Sequence, residues 1–66
     1  MSKYDWSDVP KEVKWIATDS DGYAFGYEEK PYNGGSYWYA PNPKHIKQEY
    51  HGNWKDSLEE RPNESI

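Results

Sequence analysis

Hydrophobic positions along the chain come in short runs of period two, not in long helical stripes. Val13-Lys14-Trp15-Ile16-Ala17-Thr18 is β-branched and aromatic and reads as a strand. Asp19-Ser20-Asp21-Gly22 is a turn signal, with Gly22 free to take a positive φ. Tyr23 to Glu29 alternates large and small residues, as a half-buried strand does. Lys30-Pro31 ends it, and Tyr32-Asn33-Gly34-Gly35 is a second turn. Ser36-Tyr37-Trp38-Tyr39-Ala40 is a third strand, stopped by Pro41-Asn42-Pro43. A three-residue loop at Ser20-Asp21-Gly22 sets Ala17 against Phe25 and Trp15 against Tyr27. That register gathers Val13, Trp15, Ala17, Tyr23, Phe25 and Tyr27 on one face. It leaves Ala24 and Gly26 on the other, small enough for Trp38 to lie across them.

The C-terminal third changes period. His45 to Tyr50 fits a short fourth strand or a helical turn, and Gly52 breaks it. Asn53 to Arg61 reads as a short helix capped by Asn53 and ended by Pro62, with Trp54 and Leu58 four apart as its apolar stripe. At the other end, Ser7-Asp8-Val9-Pro10 opens a turn capped by Asp8. The expected fold class is small α+β: a three-stranded antiparallel β-meander with a short C-terminal helix packed on one face. One domain spans 1–66, divided into an arm and turn (1–12), the meander (13–40), the helix (53–62) and a frayed tail (63–66).

Composition sharpens this picture. A chain of 66 residues holds one core, and domains of this size bury only about 60% of their unfolded surface. Cysteine is absent, so no disulfide staples the fold. Aliphatic residues are few, and four tryptophans, seven tyrosines and Phe25 take their place. Each such side chain buries roughly 150–250 Å². Trp15, Phe25, Trp54 and Leu58 are the expected core. Three strands and one helix leave a sheet face open, and Tyr37-Trp38-Tyr39 puts aromatics on both faces of the third strand. Tyr32, Tyr37, Trp38 and Tyr39 are therefore the candidate contact residues, flanked by Lys44 and Lys47.

Charge limits the partners. The net charge is −4, which gives no general attraction for phosphate. In the middle segment, Lys44, Lys47 and Lys55 stand against Glu49 and reverse the sign locally. A protein partner is the first expectation. The alternatives are a single-stranded nucleic-acid binder that stacks bases on the aromatics, or a protein that pairs with itself through an open edge. No apolar stretch approaches the roughly 20 residues of a membrane span, and Met1 to Trp6 has no apolar signal core. The expected location is cytoplasmic.

Catalytic and metal signals are thin. Asp19, Asp21, Gly22 and Glu28 match later positions of a calcium loop, but Ala17 takes the place of the first ligand. His45 and His51, with Glu49, fall short of a zinc set. Ser20, Ser36 and Ser57 lack a nucleophile elbow. Glu28 and Glu29 are adjacent and point to opposite faces of a strand. The expectation is a non-enzymatic protein with no cofactor.

Several stretches resemble small hypothetical proteins of tailed bacteriophages and prophages. They are Asp5-Trp6 with Val9-Pro10, Ile16-Ala17-Thr18-Asp19 with Asp21-Gly22, Tyr27-Glu28 with Lys30-Pro31, and above all Asn53-Trp54-Lys55-Asp56-Ser57-Leu58-Glu59-Glu60-Arg61-Pro62. That family has no assigned activity, so no site residue carries over from it. The resemblance implies a setting, the cytoplasm of a bacterial host, and a mode of action, binding a host or phage protein.

Overall fold

The computed structural model describes residues 2–62. Six short strands follow one another: β1 (Trp15–Thr18), β2 (Ala24–Tyr27), β3 (Tyr32–Asn33), β4 (Trp38–Tyr39), β5 (Lys44–Ile46) and β6 (Glu59–Glu60). Two 3-10 turns, Trp6–Asp8 and Trp54–Asp56, complete the secondary structure. The strands form a four-stranded antiparallel sheet of order β5-β2-β1-β6 and a separate β3–β4 hairpin.

The first hairpin has the register that its turn dictates. Trp15 pairs with Tyr27 and Ala17 with Phe25, and Asp19 N–H donates to Tyr23 O at 2.9 Å to close the loop. Gly22 takes φ +95° there, which a side chain rarely adopts.

The α+β meander expected from the sequence is incorrect in two places. The Trp38–Tyr39 strand does not join β2. It pairs with Tyr32–Asn33, and β5 takes the edge of β2. Pro31 and the Gly34-Gly35 turn steer the chain off the sheet, with Gly34 N–H donating to Tyr37 O at 2.7 Å. There is also no α-helix among the described residues. Asn53 does cap a turn, accepting from Lys55 N–H through its side chain, but the turn stops at Asp56. A nine-residue helix with a two-residue apolar stripe is marginal alone, whereas the open edge of β1 offers unpaired backbone groups. Glu59–Glu60 takes that edge as β6. The expected frayed tail, 63–66, lies outside the described residues. The first turn is capped by Asp5, not Asp8: Asp5 Oδ1 accepts from Ser7 N–H at 3.0 Å and Ser7 Oγ at 2.6 Å.

Both faces of the sheet are covered. On one, Val13, Ile16, Ala24 and Ile46 are buried with Tyr4 and Val9 of the N-terminal arm. On the other, Ala17 and Tyr27 lie under Trp38 and Ala40, with Trp15, Phe25, Trp54 and Leu58 half-buried around them. The expected core residues thus form its rim. Val13 packs against Gly26 on the arm side, not beside Trp15, and Trp38 lies on the face opposite the one expected. The space over Gly26 belongs to Val13, whose Cγ1 would sit 2.6 Å from a Cβ built there.

One polar knot ties arm, sheet and C-terminal segment together. Ser57 is fully buried. Its hydroxyl accepts from Thr18 N–H at 2.7 Å, and its one proton is shared between Trp54 O at 2.6 Å and Thr18 O at 3.1 Å. Tyr4 donates its phenol proton to Ser57 O at 2.9 Å and so accepts from Thr18 Oγ1, also at 2.9 Å. Arg61 closes the same seam. Its Nε donates to Val13 O at 2.8 Å, its backbone N–H to Lys14 O at 2.7 Å, and its guanidinium lies 4.8 Å from the Trp6 ring centroid.

Two substitutions test this packing. Ser57→Ala strands the buried Thr18 N–H and should cost about 1–3 kcal/mol. Gly26→Ala forces Val13, itself fully buried, to move and should cost a similar amount, about 1–3 kcal/mol. Urea midpoints read both, and a midpoint unchanged in either variant contradicts the corresponding contact.

Candidate binding surface

The β3–β4 hairpin is held over the first hairpin by the loop that ends β1. Asp19 Oδ1 accepts from Trp38 N–H at 2.8 Å, and the Ser20 hydroxyl donates to Ser36 O at 2.6 Å. This anchoring turns Trp38 inward. Its indole N–H donates to Trp54 O at 3.3 Å, and the two indoles meet edge-on, 6.2 Å between centroids. Strand alternation then turns Tyr37 and Tyr39 outward.

Exposure follows that geometry. Tyr32 is 70% exposed, Tyr39 60% and Tyr37 50%, against 9% for Trp38. Tyr32 and Tyr39 are direct cross-strand partners. Trp38 is therefore a core residue, and its expected place among exposed contact residues is corrected. Lys44 does not join the tyrosines. It alternates with His45 on β5 and reaches Glu12 at 3.5 Å, on the face of Ile46 and the arm. Lys47 is exposed beside Gln48, between the arm at Asp5 and Asp8 and the start of β2.

The aromatic surface continues past the hairpin. A cleft of about 340 Å³ is lined by Phe25, Tyr27, Tyr37, Trp38 and Tyr39, with Asp19 among them. From Phe25, the His45 ring is 5.7 Å away and the Tyr23 ring a further 5.9 Å beyond it. Tyr23 is 58% exposed. The sequence reading set Tyr23 among core residues. Its position right after the Asp21-Gly22 turn puts it beyond the last strand that can cover it, and that was the available signal.

Two ionisable groups in the cleft are perturbed. Burial pushes the Tyr27 phenol up to about 12, with the nearby Asp19 charge adding to the effect. Burial also raises the Asp19 carboxyl above its ordinary range, opposed by the Trp38 N–H bond and helped by Asp21. Asp21 in turn accepts from Tyr23 N–H at 3.1 Å through Oδ1. Asp19, Asp21 and Gly22 of the calcium-like set thus serve the two hairpins, Glu28 is exposed, and Ala17 lies in the core. His51 and Glu49 are a surface pair at 3.5 Å, while His45 lies among aromatics. Among the described residues, no three His, Cys, Asp or Glu side chains converge as a metal set, and no helix is long and apolar enough to cross a membrane.

Comparison with protein-family models, curated proteins and solved structures found no match to this chain.

The shifts set the pH response. Tyr27 ionises near pH 10 when unfolded but only at about 12 when folded. Its contribution is whole below pH 10 and is lost as pH rises through about 12. Tyr27→Phe should flatten the alkaline limb of a stability–pH curve at a neutral-pH cost below about 1 kcal/mol, because its bond to Trp38 O is long at 3.4 Å. Asp19 is also raised, so its contribution is greatest below its unfolded value and is lost as pH rises through its folded one. Asp19→Asn keeps an acceptor for Trp38 N–H and should be at least as stable as the parent at pH 7, without the acid-side gain. Urea melts across pH measure both, and a less stable Asn variant at neutral pH contradicts the assignment.

Proposed function

We propose that this protein is a non-enzymatic binding module that engages a protein partner through the tyrosine hairpin and the cleft beside it. The observation that carries the reading is the orientation of the hairpin. Trp38 is buried to anchor it, and Tyr32, Tyr37 and Tyr39 are held outward, continuous with Phe25, His45 and Tyr23. Tyrosines of this kind supply large contact area at low conformational cost and are enriched among interface hot spots. The polar groups of the cleft support binding over chemistry, because they already serve the fold: Asp19 holds Trp38 N–H, and the Tyr27 hydroxyl reaches Trp38 O. Lys44 is paired with Glu12 on the other face of the sheet, which weakens the nucleic-acid alternative. The bacterial setting, with a host or phage protein as partner, rests on the phage-protein resemblance alone.

The test is affinity capture from bacterial lysate with and without nuclease, using the parent chain and a Tyr32→Ala/Tyr39→Ala double variant. A stoichiometric protein that survives nuclease and high salt, and that the double variant loses by about 2 kcal/mol or more of binding at unchanged thermal stability, is the expected result. Recovery of nuclease-sensitive material alone, or capture indifferent to the double variant, overturns the proposal.

A further inference from the structure

Resting on that reading, the geometry points to an arginine side chain of the partner protein as the group that enters the cleft between Tyr37, Tyr39 and Phe25 and meets the Asp19 carboxylate. Three observations carry this. First, the cleft is walled by aromatic rings, and ring faces attract a cation within about 6 Å of their centroids. Arginine makes this contact more often than lysine, because its flat, weakly hydrated guanidinium stacks on a ring.

Second, Asp19 lines the same cleft and is partly open to it. Oδ1 accepts from Trp38 N–H, and no bond from the chain reaches Oδ2 among the described residues. A guanidinium on the ring stack brings N–H donors toward that free oxygen, and such charge-assisted bonds are among the stronger ones at an interface.

Third, the chain supplies no cation of its own there. Among the described residues, the ion pairs are Lys44–Glu12 and His51–Glu49, both elsewhere. The cations stacked on rings are Lys30 on Trp15 and Arg61 on Trp6, neither of which lines the cleft. Asp21 adds a second negative charge beside Asp19. The carboxylate is thus partly withdrawn from water without a compensating charge, an arrangement that an incoming cation completes. An uncharged proline-rich segment would fill the aromatic cleft but leave the carboxylate unpaired.

The experiment is an NMR titration of the ¹⁵N-labelled full chain with four short glycine-flanked peptides. They carry one arginine, one citrulline (the neutral isostere of arginine), one lysine, or a run of prolines. Expected are shifts of the Trp38 amide and of residues 37 and 39 with the arginine peptide. Citrulline should bind at least about tenfold more weakly, and so should arginine to Asp19→Asn, which keeps the Trp38 bond and the fold. Lysine should fall between arginine and citrulline. Equal binding of arginine and citrulline, tighter binding of the proline peptide, an unaffected Asp19→Asn, or absence of any shift at the cleft each overturn the inference. Protein capture that depends on Tyr32 and Tyr39, together with no arginine preference, leaves the tyrosine surface standing and removes only the cationic anchor.

Discussion

Thr18, the last residue of β1, has its backbone N–H and carbonyl bonded on its outer edge to a serine hydroxyl instead of to another strand. β6 pairs with β1 only at Trp15 and Ile16, and Ser57 extends that pairing by one step with a side chain. Much else depends on the substitution of side chain for strand. It fixes where the Trp54–Asp56 turn must end, and therefore where Trp54 meets Trp38. It presents Ser57 O to Tyr4, which pins the N-terminal arm over the sheet. A buried hydroxyl that leaves no backbone group orphaned is well satisfied, and among the described residues no buried side-chain nitrogen or oxygen lacks a partner.

The second constraint is the scarcity of aliphatic side chains. A sheet this small is covered on both sides only if the covering pieces are thin and close. Gly26 and Ala24 let Val13 and Ile46 approach the sheet backbone on one side, and Ala17 does the same for the Trp38 layer on the other. The large rings act mostly as rim. Trp15, Phe25, Trp54 and Leu58 sit half in water around fully buried small residues. Rims allow cationic neighbours: Lys30 stacks over Trp15 here, and Arg61 over the half-buried Trp6 on the arm side.

What the sequence made legible is local. The first hairpin, its register and its Gly22 turn follow from period-two alternation and turn chemistry, and both were readable. The exposure of Tyr37 and Tyr39 was readable from the same alternation and that of Tyr32 from its place in the loop before the strand, as was Trp38 facing the other way, though not that its side is buried. The non-local choices were hidden. Nothing in Glu59-Glu60 marks a strand, because its pairing is decided by the vacant edge of β1 and not by propensity. Likewise the choice of β5 over β4 beside β2 depends on Asp19 and Ser20 capturing the second hairpin, across 16 to 19 residues of sequence. Phe25 and Asp19 entered the candidate surface only once that capture placed the hairpin beside them.

The seam between the arm and the last strand has a consequence for how the chain is made. Lys3, Tyr4, Trp6, Val9, Pro10 and Val13 bond to partners 48 to 56 positions later, in the segment from Asp56 to Arg61. A ribosome releases residues in order, so the two central strands can pair while the arm still has nothing to dock on. Tyr4 and Val9 must wait until Arg61 has left the exit tunnel. Until the Asp56 to Arg61 segment has emerged, the apolar arm is what a growing chain exposes.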